Sequence, residues 1–212
     1  MVVLSEWLRR MGHDVTAICP PGGWLPEQLR SAGVPAIEMR MHGALASSAI
    51  TRIRKLVKET EVDVIHTHLT RATYMGYLAA LFSKVPVIST MHVATRDAAY
   101  RWLPRANHSF VAVSNHIRDT LIDRGLSAGR VHTVYNGTDL NADDWIVPAQ
   151  SLSVRAELGL PAAAEVVGQV GRVDEFKGAH ILVRAAVEIV AERPNAYFVF
   201  VGHADPGIQQ AL

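Results

Sequence analysis

Apolar positions along the chain follow two alternating periods. Val3, Trp7 and Met11 fall at helical spacing beside Leu4 and Leu8, and Gly12 follows where a helix end is capped. Short apolar runs then predict strands over residues 14–19, 36–39, 62–66, 85–90, 109–113, 131–134, 166–170 and 197–201. Between them the spacing predicts helices over 49–60, 72–82, 115–124 and 179–193. Ser114 is placed to cap the third of these and Pro194 to end the last. Strand and helix alternating through short loops is the pattern of a parallel sheet covered by helices.

The stretch 140–160 has no strand pattern and is rich in Asn, Asp, Pro and Ser. It divides the chain into a first α/β domain, residues 1–145, a linker over 146–164, and the opening of a second domain, 165–212. Almost half of the 212 residues are apolar and 19% are charged, a globular composition. A formal net charge of +1 argues against nucleic acid as the main partner. The single cysteine, Cys19, ends an apolar run and reads as a buried small hydrophobe. No apolar run is long enough for a membrane span and no cleavable signal pattern opens the chain, so a cytoplasmic protein is expected.

The segment Gly171-Arg172-Val173-Asp174-Glu175-Phe176-Lys177-Gly178 joins a strand to a helix expected to begin at or near Lys177. The free N–H groups of a helix end favour an anion. Arg172 can grip phosphate oxygens with two bonds and Lys177 adds a mobile charge, so the loop reads as a diphosphate cradle. Two surface cations beside an ordinary turn are the plainer alternative.

The same segment resembles the donor-binding motif of the family 4 glycosyltransferases, which have the GT-B fold. Four further stretches are similar to the family in the family's own order. They are Met11-Gly12-His13-Asp14-Val15, Val87-Ile88-Ser89-Thr90-Met91-His92, Val111-Ala112-Val113-Ser114-Asn115, and the run from Val131 to Tyr135 with Asn136-Gly137-Thr138-Asp139. The resemblance implies a doubly wound, Rossmann-like parallel sheet lacking its first strand, followed by the start of a second Rossmann-like domain. That first strand is central in such sheets, so a gap or a closing-up of its neighbours is expected. The chain is read as incomplete at both ends: most of an acceptor-side domain plus the opening of a donor-side domain.

The resemblance further implies a retaining glycosyltransferase that moves a sugar from a nucleotide-diphosphate donor to a hydroxyl acceptor. Synthesis of polysaccharide, lipopolysaccharide or glycolipid is the expected setting, and the sugar nucleotide is a co-substrate with no other cofactor expected. Arg172 and Lys177 would hold the diphosphate, and Gly171 and Gly202 would lie at the donor site. His92, at a strand end where open α/β sheets place ligands, would be the catalytic-site histidine. His66, His68, Asn136 and Asp139 would line the cleft on the acceptor side. The Asn136-Gly137 pair also reads simply as a turn that needs positive φ.

Two other readings stay open. One is a module that binds nucleotide or acceptor without turnover. The other is a metal-dependent hydrolase in which His66 and His68, on one side of an extended segment, bind a metal with His92 or Asp97; no metal is the preferred expectation. Finally, the 49–60 helix carries Arg52, Arg54, Lys55 and Lys58 opposite Ile50, Ile53 and Val57. Such a face can rest weakly on an anionic membrane or simply be solvated.

Overall fold

The computed structural model describes residues 1–41, 43, 46–93, 107–137 and 154–204. Contacts divide the chain into two compact units, Met1–Thr138 and Asp139–Leu212.

The first unit runs α1 (Val2–Arg10), β1 (Ala17–Cys19), α2 (Trp24–Ser31), β2 (Ala36–Glu38), α3 (Ala46–Glu59), β3 (Ile65–His68), α4 (Thr70–Ala80), β4 (Val87–Met91), β5 (His108–Ala112), α5 (Asn115–Asp123) and β6 (Val131–Thr133). Every strand is parallel to its neighbour. The strands form two ladders, β1-β2 and β3-β4-β5-β6, with no hydrogen-bonded strand joining them among the described residues. Of the two arrangements expected for this sheet, the gap is the one observed.

Helices hold the two ladders together. Ala49, Ile53 and Val57 of α3 and Met75 and Ala79 of α4 are buried in one cluster with Met39, Ile18 and Ile37 from the β1-β2 side and Ile65 from β3. A second cluster packs Met91, Phe110 and Ala112 of the four-stranded sheet against Ile117 and Leu121 of α5. Ser114 caps α5 as expected, its side chain accepting from the Ile117 amide at 3.2 Å. Cys19 is buried in a third cluster with Leu29 and Val34, and burial raises its thiol pKa above the ordinary range.

Two local features depart from expectation. Helix α2 lies between the first two strands, where no helix range was given; Pro26 lies in its first turn, where proline is tolerated and no intrahelical donor is lost. Val3 and Trp7 fall on α1 and Met11 follows its end, but all three side chains are exposed and the buried residue of that helix is Ser5.

The second unit contains α6 (Val154–Glu157), β7 (Glu165–Val170), α7 (Ala179–Glu192) and β8 (Ala196–Val201), with β7 and β8 paired in parallel. A 3-10 turn, Glu175–Lys177, precedes α7. The helix begins at Ala179, as the spacing predicts, after Gly178 in a left-handed conformation (φ 76°). The apolar run of β7 leaves Val166, Val167 and Val170 exposed.

Candidate functional site

Side chains in a strand alternate between faces, so His66 and His68 share one face of β3 while Thr67 points to the other. The register sets His68 opposite Thr90 of β4, and His92 follows β4 by one residue. Three rings thus gather at the carboxyl end of the four-stranded sheet. The ring centroids of His66 and His68 are 4.5 Å apart, and those of His68 and His92 are 5.4 Å apart and stacked. His68 Nδ1 and His92 Nε2 share a hydrogen bond of 3.1 Å, and His66 Nε2 shares one of 2.8 Å with Thr90 Oγ1.

This packing disfavours charge. His68 is pushed down to about 4, first by burial and then by repulsion from His66, the amino-terminal ammonium and His92. His66 and His92 are also lowered, in each case chiefly by burial and then by the amino-terminal ammonium. All three rings are therefore predominantly neutral at pH 7. One nitrogen of each ring is engaged, His66 Nε2 with Thr90 and His68 Nδ1 with His92 Nε2. Among the described residues no group of three or more His, Cys, Asp or Glu side chains is arranged to hold a metal ion.

The opposite face anchors the cluster. Thr67 Oγ1 lies 2.7 Å from Ser89 Oγ, which lies 2.9 Å from His108 Nε2. His108 is buried and stacked on Phe110. Gly76 of α4 packs against this row so closely that a Cβ there would lie 2.5 Å from Thr67 Cγ2. A buried, hydrogen-bonded polar row of this kind fixes the strand register from beneath, and it depends on pairing that no sequence motif announces.

Asn136 and Gly137 follow β6 and are exposed. Neither has the positive φ that the Asn-Gly pair was expected to need. Asp139 and Asp97 lie outside the described residues.

In the second unit, Arg172 and Lys177 flank one short loop, and both are exposed. Asp174, which was not foreseen, sits between them. Its Oδ1 accepts from the Lys177 amide at 2.8 Å and its Oδ2 pairs with Arg172 Nη2 at 3.0 Å. The amides of Gly178 and Ala179 donate to Glu175 and Asp174 carbonyls. The helix-end N–H groups expected to be open to an anion are thus largely occupied from within the loop. The available sequence signal was the aspartate itself, three residues ahead of Lys177 at a capping position.

Gly202, after β8, has φ 150°, and a Cβ there would lie 1.8 Å from the Gly171 carbonyl oxygen. Gly171 has φ 135° and donates its amide to Val201 O at 2.9 Å. The close backbone approach that Gly202 permits in this structure is to Gly171, its neighbour across the ladder.

On α3, Arg52, Arg54, Lys55 and Lys58 are exposed while Ile53 and Val57 are buried, the two-faced arrangement expected. Lys55 pairs with Glu59 at 3.6 Å. Arg54 lies 5.6 Å from the ring centre of Phe82 and donates to Leu81 O.

Comparison with solved structures places both parallel units in the Rossmann-like, GT-B class. The chain superposes on Anabaena HepE in complex with UDP-glucose with a TM-score of 0.79, at 20% identity over 99% of this chain and 57% of that one. For a glycosyltransferase from Rickettsia africae the TM-score is 0.73, at 14% identity over 95% of this chain and 64% of the other.

The model of Glycosyltransferase Family 4 matches residues 1–142, and the chain belongs to that family. It is 27% identical to the phosphatidyl-myo-inositol mannosyltransferase of Mycolicibacterium smegmatis, over 95% of this chain and 54% of the relative. It is 30% identical to the D-inositol 3-phosphate glycosyltransferase of Thermobispora bispora, over 80% of this chain and 42% of the relative. The chain thus spans about half the length of the curated relatives it matches. The Arg172–Lys177 loop lies beyond the family match but within the alignment to the mannosyltransferase, since 95% coverage cannot omit it.

Proposed function

We propose that this chain carries the acceptor-side unit and the diphosphate grip of a retaining glycosyltransferase that uses a nucleotide-diphosphate sugar. The observation that carries the reading is the pair of exposed cations, Arg172 and Lys177, on one strand-to-helix loop in a member of this family. As the donor's glycosidic bond breaks, negative charge collects on the leaving diphosphate, and two cations already in place stabilise it without solvent reorganisation. Arg172 reaches that state by exchanging its partner Asp174 for phosphate oxygens.

The histidine cluster supplies hydrogen bonds rather than strong base. A general base works best with a pKa near the operating pH, and His68 at about 4 lies well below it. His92, the less enclosed partner of the stacked pair, is assigned to hold the donor sugar or the acceptor hydroxyl. His66, His68, Asn136 and Asp139 are assigned to the acceptor side, and Gly171 and Gly202 to the donor side. The relatives are named for inositol-containing acceptors, so a polyol or inositol hydroxyl of a glycolipid or polysaccharide precursor is the acceptor class proposed.

The exposed basic face of α3 beside Phe82 fits weak contact with an anionic cytoplasmic membrane surface. Among the described residues no helix is long and apolar enough to cross a membrane. Incubating the chain with labelled UDP- and GDP-sugars tests the reading. Sugar transfer or donor hydrolysis that is lost in Arg172→Ala supports it. Turnover unaffected by that change, or stoichiometric metal in the purified protein, contradicts it.

A further inference from the structure

We propose that Leu69 is a positioning residue, whose backbone bonds to β4 and α4 hold His68 against His92 in spite of a strained conformation. Leu69 has φ 71° and ψ 160°, a region that essentially only glycine occupies. Its side chain is 52% exposed, so burial does not explain a leucine at this place.

The conformation is imposed from outside. The Leu69 amide donates to Thr90 O at 3.2 Å, and its carbonyl accepts from the Thr73 amide at 3.0 Å and from Thr73 Oγ1 at 3.1 Å. Thr73 is fully buried, with its hydroxyl also near Met91 Sδ. One residue is thus tied to β4 on one side and to α4 on the other. Strain of this kind persists only where its surroundings over-determine it, and it gathers at functional sites.

Leu69 directly follows His68, and Thr90 is the residue opposite His68 in the ladder. The bond from Leu69 to Thr90 O therefore extends the β3-β4 pairing one residue beyond the strand, up to the point where His92 meets His68. Releasing Leu69 frees the end of β3, and the His68–His92 bond is the first contact beyond it. The groups facing that pair are His66 and the amino-terminal ammonium. The inference rests on the reading of the histidine cluster as part of the site, but its test does not require turnover.

The test compares Leu69→Gly and Leu69→Pro in the full chain by thermal unfolding and by NMR titration of His68 and His92. Glycine accepts this backbone without strain and keeps its bonds, whereas proline fixes a negative φ and has no amide to donate to Thr90. The expected result for Leu69→Gly is a melting temperature at or above that of the wild type with the His68 titration unchanged. In Leu69→Pro, His68 titrates about one unit or more closer to an unperturbed histidine. The proposal is overturned if Leu69→Gly lowers the melting temperature or shifts His68, or if Leu69→Pro folds and leaves His68 unchanged. Nucleotide binding that persists in these variants, or is absent from all of them, bears separately on the glycosyltransferase reading.

Discussion

The β3–β6 sheet and the β7-β8 pair are both parallel ladders of apolar strands that end in candidate site residues, but they hold those residues differently. In the first, Val87, Met91, Phe110 and Ala112 are almost wholly buried, and the histidines at the strand ends are fixed by cross-strand hydrogen bonds and stacking. In the second, Val166, Val167, Val170 and Val201 are exposed, and Arg172 and Lys177 are tied to Asp174, a near neighbour in sequence. Tertiary packing sets one site and local chain geometry sets the other. Substitutions at depth should therefore disturb the histidines, whereas changes near the cations should alter ligand affinity and leave the fold alone.

The largest expected effect separates the two cores. Phe110→Ala removes a fully buried ring and should cost about 3–5 kcal/mol in denaturant unfolding. Val170→Ala, at a side chain 84% exposed, should change stability by less than about 0.5 kcal/mol. Equal costs would erase the distinction drawn here.

A pH series sharpens it further. The histidine cluster has lowered folded pKa values, so between about 4, for His68, and the ordinary histidine range the unfolded chain binds more protons than the folded one. Stability should therefore rise with pH across that window, flatten above it, and lose part of its slope in His68→Asn, with His66 and His92 supplying the remainder. A slope unchanged in His68→Asn would show that the ring is not held as described.

At the second site, Asp174→Asn keeps an oxygen to cap the Lys177 amide while releasing Arg172 from its ion pair. Nucleoside diphosphate affinity should rise by about two- to five-fold, the worth of an exposed ion pair. A fall in affinity would mean that Asp174 orients Arg172 for the ligand rather than competing with it. The smallest effect is expected on α3. Neutralising Lys55 alone to Gln should weaken co-sedimentation with anionic vesicles at low salt by a few-fold, at no more than about 1 kcal/mol for one charge near the surface. Failure of the wild type to bind such vesicles removes the membrane contact.

The eight strands among the described residues were legible as short apolar runs between turn residues, and the pairing of His66 with His68 followed from a period of two. Boundaries moved where pairing decides them: β3 was expected to end at His66 but extends to His68 because its partner β4 continues to Met91. The Thr67–Ser89–His108 row, the Thr90 partner of His66 and the strain at Leu69 depend on register and on which helix covers which face, so no local pattern carries them. The occupied amides at the start of α7 show a different limit. Asp174 was given no role beside the two cations, and its side chain is the loop's own anion.

The central claim is that Arg172 and Lys177 form a diphosphate grip, and calorimetric titration of the full chain with UDP and GDP tests it most directly. The account predicts saturable binding of at least one of these nucleotides, weakened about a hundred-fold by Arg172→Ala, a loss typical of a charge-assisted bidentate contact. The melting temperature should be unchanged, since the Arg172 side chain is 64% exposed. Binding that is equal in wild type and Arg172→Ala, or absent for both nucleotides, would contradict it.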